Sequence, residues 1–146
     1  MISNKCQYAM RAMLELAKRQ AAEGPATIVE IAEAQQIPSR FLEAILRELK
    51  QAGLTLSIRG KKGGYALAKP AREITVGAVV RTLEGPYFTP PPQETVGVAT
   101  NRVDVFEAVW SEAADALDTV LGRIDFADLA ERDRVAAAPD VLNYSI

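Results

Sequence analysis

Apolar residues recur at helical spacing from the start of the chain. Tyr8, Met10, Met13, Leu14, Leu16 and Ala17 give one broad apolar face to a helix predicted from about Asn4 to Gln20, with Ser3 placed to cap it. Glu23-Gly24-Pro25 breaks that pattern, and Thr27-Ile28-Val29-Glu30 reads as a capping box in which Thr27 and Glu30 each satisfy a free backbone amide. A second helix therefore starts near Ile28, carries Ile28, Ile31 and Ala32, and runs to about Ala34, with Gln35 to Pro38 as the turn. Pro38 and Ser39 start a third helix, which has Phe41, Leu42, Ile45, Leu46 and Leu49 on its apolar side and ends at Gly53. Arg40, Glu43, Ala44, Arg47 and Lys50 occupy the other side. Two short helices joined by such a turn form a helix-turn-helix unit.

Beyond Gly53 the period changes from helical to two. Leu54, Leu56 and Ile58 alternate with Thr55, Ser57 and Arg59, which predicts a strand with the apolar set on one face. Gly60-Lys61-Lys62-Gly63-Gly64 supplies a turn and Tyr65 to Ala68 a returning strand, so the expected hairpin carries two lysines at its tip. Helix-turn-helix plus basic hairpin predicts a winged helix. Pro70 ends the wing, and Thr75 caps a fourth helix whose apolar positions are Val76, Val79, Val80 and Leu83 and whose stop is Gly85-Pro86.

The chain thus divides into a winged helix-turn-helix domain over residues 1–84, a proline-containing loop over 85–101 with Pro90-Pro91-Pro92, and a region over 102–146. The last region opens with a long helix from about Asn101 or Arg102 to Gly122. Val103, Phe106, Trp110, Ala113, Leu117, Val120 and Ile124 follow alternating steps of three and four, a coiled-coil seam whose simplest partner is a second copy of the chain. Asp125 caps a last short helix with Phe126, Leu129 and Ala130, and the tail from Arg134 onward receives no role. The expected fold class is mainly α with a small β-hairpin, a winged helix plus a long C-terminal dimerisation helix.

Charge sharpens this picture. The net charge of −2 over 146 residues hides an asymmetry: residues 1–70 hold 11 Lys/Arg against 6 Glu, and residues 71–146 hold 6 Arg against 13 Asp/Glu. The basic half is the half with the winged helix, as expected of a surface that faces a polyanion. In a helix-turn-helix the third helix lies in the major groove with its first residues nearest the base edges, which places Ser39, Arg40 and Glu43 in the reading position. Arg40 suits guanine, Glu43 the amino group of cytosine, and Ser39 a base or a phosphate. Arg59, Lys61 and Lys62 belong to the wing, where an arginine suits a narrow minor groove.

Composition excludes other classes. Without histidine and with one cysteine, the chain offers neither a zinc site of Cys and His nor a usual nucleophile-and-base set, so no enzyme is expected. No apolar run approaches the ~20 residues that span a bilayer, and a cytoplasmic protein is expected. Cys6 cannot form an internal disulfide; in the first turn of a helix and beside Lys5 it is a candidate redox thiolate, or a small residue at a semi-buried site.

Ser3 to Met13, Ile37 to Leu46, Ala52-Gly53-Leu54 and Arg59-Gly60-Lys61-Lys62-Gly63-Gly64-Tyr65 resemble the Rrf-two family of bacterial winged-helix transcription regulators, the relatives of IscR, NsrR and CymR. The resemblance implies a homodimer on partly palindromic double-stranded promoter DNA, usually a repressor. The DNA-contacting set expected here is Ser3, Lys5, Tyr8, Thr27, Ser39, Arg40, Glu43, Arg47, Arg59, Gly60, Lys61, Lys62 and Tyr65. Many members hold an iron–sulfur cluster through three cysteines in the loop before the long helix, but the corresponding loop, Gly85 to Arg102, has none. No cofactor is therefore expected, and the signal falls to a partner protein, to a small molecule near Tyr87 and Phe88, or to oxidation of Cys6. The alternative is an interaction module that keeps the winged-helix scaffold and regulates a partner enzyme.

Overall fold

A computed structural model describes residues 2–87 and 105–138. Along them run α1 (Asn4–Gln20), α2 (Ile28–Gln35), α3 (Ser39–Gln51), β1 (Thr55–Ile58), β2 (Gly64–Leu67), a 3-10 turn at Ala71–Glu73, α4 (Val76–Glu84), α5 (Val105–Gly122) and α6 (Phe126–Ala137). The winged helix expected from the sequence is present. Four helices begin at the side chains expected to cap them: Ser3 accepts from the Cys6 amide at 3.1 Å, Thr27 from Glu30 at 3.2 Å, Thr75 from Ala78 at 3.1 Å and Asp125 from Asp128 at 2.8 Å. Each cap fixes a helix start, and with it which residues face inward.

The core gathers around α1. Ala9, Ala12, Met13 and Leu16 of α1 meet Leu42, Ile45, Leu46 and Leu49 of α3, Ile31 of α2 and Val79 of α4, all essentially inaccessible to solvent. Glu15 lies on the same helix and is also buried. It accepts from Arg19 Nε at 3.0 Å and from Gln35 Nε2 at 3.3 Å, while Arg19 reaches on to Glu30 at 2.9 Å. A buried carboxylate is tolerated only with such partners, and this set ties the end of α1 to α2.

The packing of the strand and of the chain after α5 is set by contacts distant in sequence. Alternation puts Leu54, Leu56 and Ile58 of the strand region on one face, yet Leu54 and Thr55 are buried while Leu56 and Ile58 are exposed. The antiparallel register pairs Thr55 with Leu67 and Ser57 with Tyr65. The hydroxyl of Thr55 donates to the Leu46 carbonyl at 3.1 Å and Ser57 accepts from Lys50 Nζ at 2.8 Å, so the polar face of the strand is the one that docks on α3.

The chain after α5 returns to the same core. Within the region from 102 on, α6 packs on α1 and on the 3-10 turn. Phe126 is fully buried in the same core. Its amide donates to the Ile74 carbonyl at 3.0 Å and the Val76 amide donates to the Ile124 carbonyl at 2.8 Å, a short antiparallel bridge centred on Thr75 and Asp125. Lys18 of α1 meets Asp133 of α6 at 2.9 Å. The winged-helix body is therefore closed by residues that follow the long helix.

Replacing Phe126 by alanine removes a fully enclosed aromatic ring and is expected to cost about 3–5 kcal/mol of folding stability. Urea denaturation followed by circular dichroism measures this; a loss below ~1 kcal/mol would place α6 outside the cooperative unit.

Candidate nucleic-acid interface

With Leu42, Ile45, Leu46 and Leu49 committed to the core, α3 turns Ser39, Arg40, Glu43, Ala44 and Arg47 outward. Positions 40, 43, 44 and 47 fall on one face at helical spacing. Ser39 is the first helical residue rather than the cap; that position belongs to Pro38, and no side chain caps the helix. Glu43 and Arg47 form an exposed pair at 3.1 Å. Such a pair is worth at most ~0.5 kcal/mol, so a nucleic acid can separate it at little cost. Phe41 was expected on the core face, but it sits at the margin, 41% exposed. Its ring stacks on Tyr8 of α1 with centroids 5.9 Å apart and planes 15° apart, and the Arg40 guanidinium carbon lies 4.7 Å from its centroid.

The wing is held to α3 by the Thr55 and Lys50 hydrogen bonds and by the Leu54 amide, which donates to the Leu49 carbonyl at 3.0 Å. A second anchor comes from the other side. Ala26, just before α2, exchanges backbone bonds with Tyr65, at 2.9 Å from its own amide and 2.7 Å from that of Tyr65. Gly64, next to this contact, has φ +143°, and a Cβ there would lie 2.3 Å from the Ala26 carbonyl oxygen. A Cβ on Gly63 would lie 2.2 Å from the Ile58 oxygen. The paired glycines of the sequence motif are therefore required by close backbone approach. At the tip, Arg59, Gly60, Lys61 and Lys62 are exposed, and the three cations reach no partner among the described residues.

The remaining candidates are more committed. Lys5 is paired with Glu48 of α3 at 2.5 Å. Ser3 caps α1 and also holds Glu84, its amide donating to that carboxylate at 2.9 Å and its hydroxyl donating to the same oxygen. These bonds keep the Glu84 carboxyl below its ordinary range. The Thr27 hydroxyl donates to the Glu30 carboxylate at 3.1 Å while accepting from its amide. Tyr8 and Tyr65 are half-buried. The structure thus joins the outward face of α3 and the wing on one rigid body, with Lys5 and Tyr8 at its border and Ser3 and Thr27 serving as caps. The Arg40–Phe41–Tyr8 contact has no sequence signal, because no spacing rule links α1 to the start of α3.

Cys6 does not have the environment of an activated thiol. Its side chain is fully buried, and burial, followed by the negative charge of Glu84, pushes its pKa up from 9.0 to about 11. Lys5, expected to favour the thiolate, is turned to Glu48. Among the described residues no three His, Cys, Asp or Glu side chains converge as a metal site.

α5 has no buried residue and leaves Phe106, Trp110, Leu117 and Val120 exposed, with Ala113 half-buried between them. It leans on α4, where Arg81 and Asp118 form an ion pair. Ile124, the last member of the expected seam, is partly buried against the core; Val103 lies outside the described residues. A cavity of about 440 Å³ between α4 and α5 is lined by Arg81, Pro86, Tyr87, Ala114, Asp115 and Asp118. Phe88 and the triple proline also lie outside the described residues.

The profile of the Rrf2 family, described as an iron-dependent transcriptional regulator, matches residues 2–132. The chain is 46% identical to an rrf2-like HTH-type transcriptional regulator of Rhodobacter capsulatus over 93 residues, 62% of each chain. It is 36% identical over 129 residues, 88% of each chain, to the HTH-type transcriptional regulator CymR of Bacillus subtilis. Among solved structures, IscR of T. potens superposes with a TM-score of 0.82 at 32% identity, covering 99% of this chain and 96% of that one.

Gly64→Ala is expected to destabilise the fold by roughly 2 kcal/mol, since the new methyl group meets the Ala26 carbonyl in a backbone region that L-residues avoid; an unchanged urea midpoint would mean that the Ala26–Tyr65 bridge is dispensable. The raised pKa of Cys6 has a definite sign. Between about pH 9 and 11 the unfolded chain ionises its thiol while the folded chain does not, so stability falls with rising pH across that window. Cys6→Ala should flatten this part of the stability–pH curve, as read from denaturation midpoints of both proteins.

Proposed function

The chain belongs to the Rrf2 family of DNA-binding transcriptional regulators, and we propose that it acts as a homodimeric repressor on partly palindromic operator DNA. The observation that carries this reading is the joint rigid mounting of the outward face of α3 and the unpartnered cationic wing tip. In such a complex Ser39, Arg40 and Glu43 read the major groove, and Arg59, Lys61 and Lys62 lie against phosphates and the minor groove. Lys5, Tyr8 and Arg47 border the duplex. The apolar stripe of α5 supports pairing of two copies, since exposed Phe106, Trp110 and Val120 on a helix with no buried residue favour a partner surface.

The iron dependence in the family description does not extend to a thiolate-held cluster here. Thiolates hold such a cluster, through three cysteines in the family members that carry one, and this chain has a single cysteine, buried in the core, and no histidine. The signal is instead a protein or small-molecule effector, for which the cavity beside Tyr87 is the nearest candidate, and the protein works in the cytoplasm. A second reading, a module that captures a partner enzyme, is favoured by one feature: a groove of about 790 Å³ between α1 and α6 floored by Ala17, Ala21, Ala71, Ala127 and Ala130.

Selection of sites from a random duplex pool tests the first reading. A palindrome is expected, and Arg59→Ala should lower the slope of log affinity against log salt by ~0.9 for each phosphate the protein no longer neutralises. An empty selection with retained partner capture would favour the second. Trp110→Asp should shift the dimer to monomer in sedimentation velocity and weaken operator binding; an unchanged dimer would remove α5 from the interface.

A further inference from the structure

The helix that faces DNA presents an arginine next to an exposed aromatic ring, and the ring is not there for the core. The buried face of α3 is complete without it, in Leu42, Ile45, Leu46 and Leu49. Phe41 leans instead on Tyr8, which sits at the border of the core on α1. Tyr8 therefore sets the position of the Phe41 ring, and the ring in turn attracts the Arg40 guanidinium at 4.7 Å. The natural competitor for Arg40 is Glu43, one helical turn away. Glu43 is taken by Arg47 at 3.1 Å, which leaves Arg40 to the ring.

Attraction to a π-face uses none of the five N–H donors of a guanidinium. Arg40 is held in place while its hydrogen-bonding edge stays open. A free arginine at this position would have to order several rotatable bonds on meeting a base, and that loss of freedom lessens the discrimination it can provide. We infer that Phe41 is a specificity-determining positioning residue: stacked on Tyr8, its ring holds Arg40 ready for a guanine edge in the major groove. This rests on the reading of α3 as the base-reading helix. It adds that sequence preference at one base pair is set by an aromatic pair shared between α1 and α3.

The test is site selection by the full-length protein and four variants, Arg40→Ala, Phe41→Leu, Phe41→Trp and the Arg40→Ala/Phe41→Leu double. Arg40→Ala is expected to lower the preference for guanine at one position of each half-site by about tenfold or more. Phe41→Leu should lower it about two- to fivefold at that same position and at no other. Phe41→Trp should keep the preference, and Phe41→Leu should add nothing in the Arg40→Ala background. Urea midpoints report whether the leucine and tryptophan variants remain folded, and tryptophan, which keeps a π-face, separates positioning from bulk.

The inference is overturned if Phe41→Leu keeps the full preference that Arg40→Ala loses, or if it weakens all sequences equally. It also falls if Arg40→Ala flattens no position, since Arg40 then reads no base. A wild-type protein that selects no site would remove the operator-binding reading itself, an outcome distinct from the other two.

Discussion

Ala9 and Ala12 stand in the middle of α1 with no exposed surface, and their small side chains let neighbouring backbones come close. α2, α3, α4, α6 and β2 all pack on this helix. Because α3 must bury Leu42, Ile45, Leu46 and Leu49 in this packing, its opposite face has only one direction to point. The wing inherits its position from α3 through Thr55 and Lys50, and from the start of α2 through Ala26. A volume change at Ala9 or Ala12 would thus be felt in the placement of α3 and the wing.

What the sequence made legible was local. Ser3, Thr27, Thr75 and Asp125 were readable as caps because each needs only its own next three residues, and all four helices start there. The glycines of the wing and the outward Arg40, Glu43 and Arg47 were likewise visible from spacing. What failed depended on contacts across the chain. Thr55 buries its hydroxyl because a carbonyl on α3 is available to accept it, and alternation of apolar residues carries no information about that carbonyl. Phe41 looked like a core residue by period, but at the first turn of α3 it lies beyond the edge of the core and finds Tyr8 instead. Buried Glu15, held by Arg19 and Gln35, was invisible for the same reason.

The uneven charge of the two halves has a spatial counterpart. Unpartnered cations collect at the wing tip, while α5 and α6 carry most of the described acids of the second half, several of them paired: Asp118 with Arg81, Asp128 with Arg132, and Asp133 with Lys18. Cations at the wing tip attract a polyanion, and the acids of α5 and α6 repel it.

The hydrogen bonds joining Ile74 to Phe126 and Val76 to Ile124 act as a chord across the base of everything between them. The start of α4 meets the end of α5 there, and Gly77 allows the close approach: a Cβ on it would sit 3.3 Å from the Gly122 amide nitrogen. The end of α5 is thereby pinned to the body at the point where α4 begins, and α4 itself is held in the core through Val79 and Val80. A side chain larger than hydrogen at position 77 would press on that junction and so disturb the return of the chain from the long helix to the body.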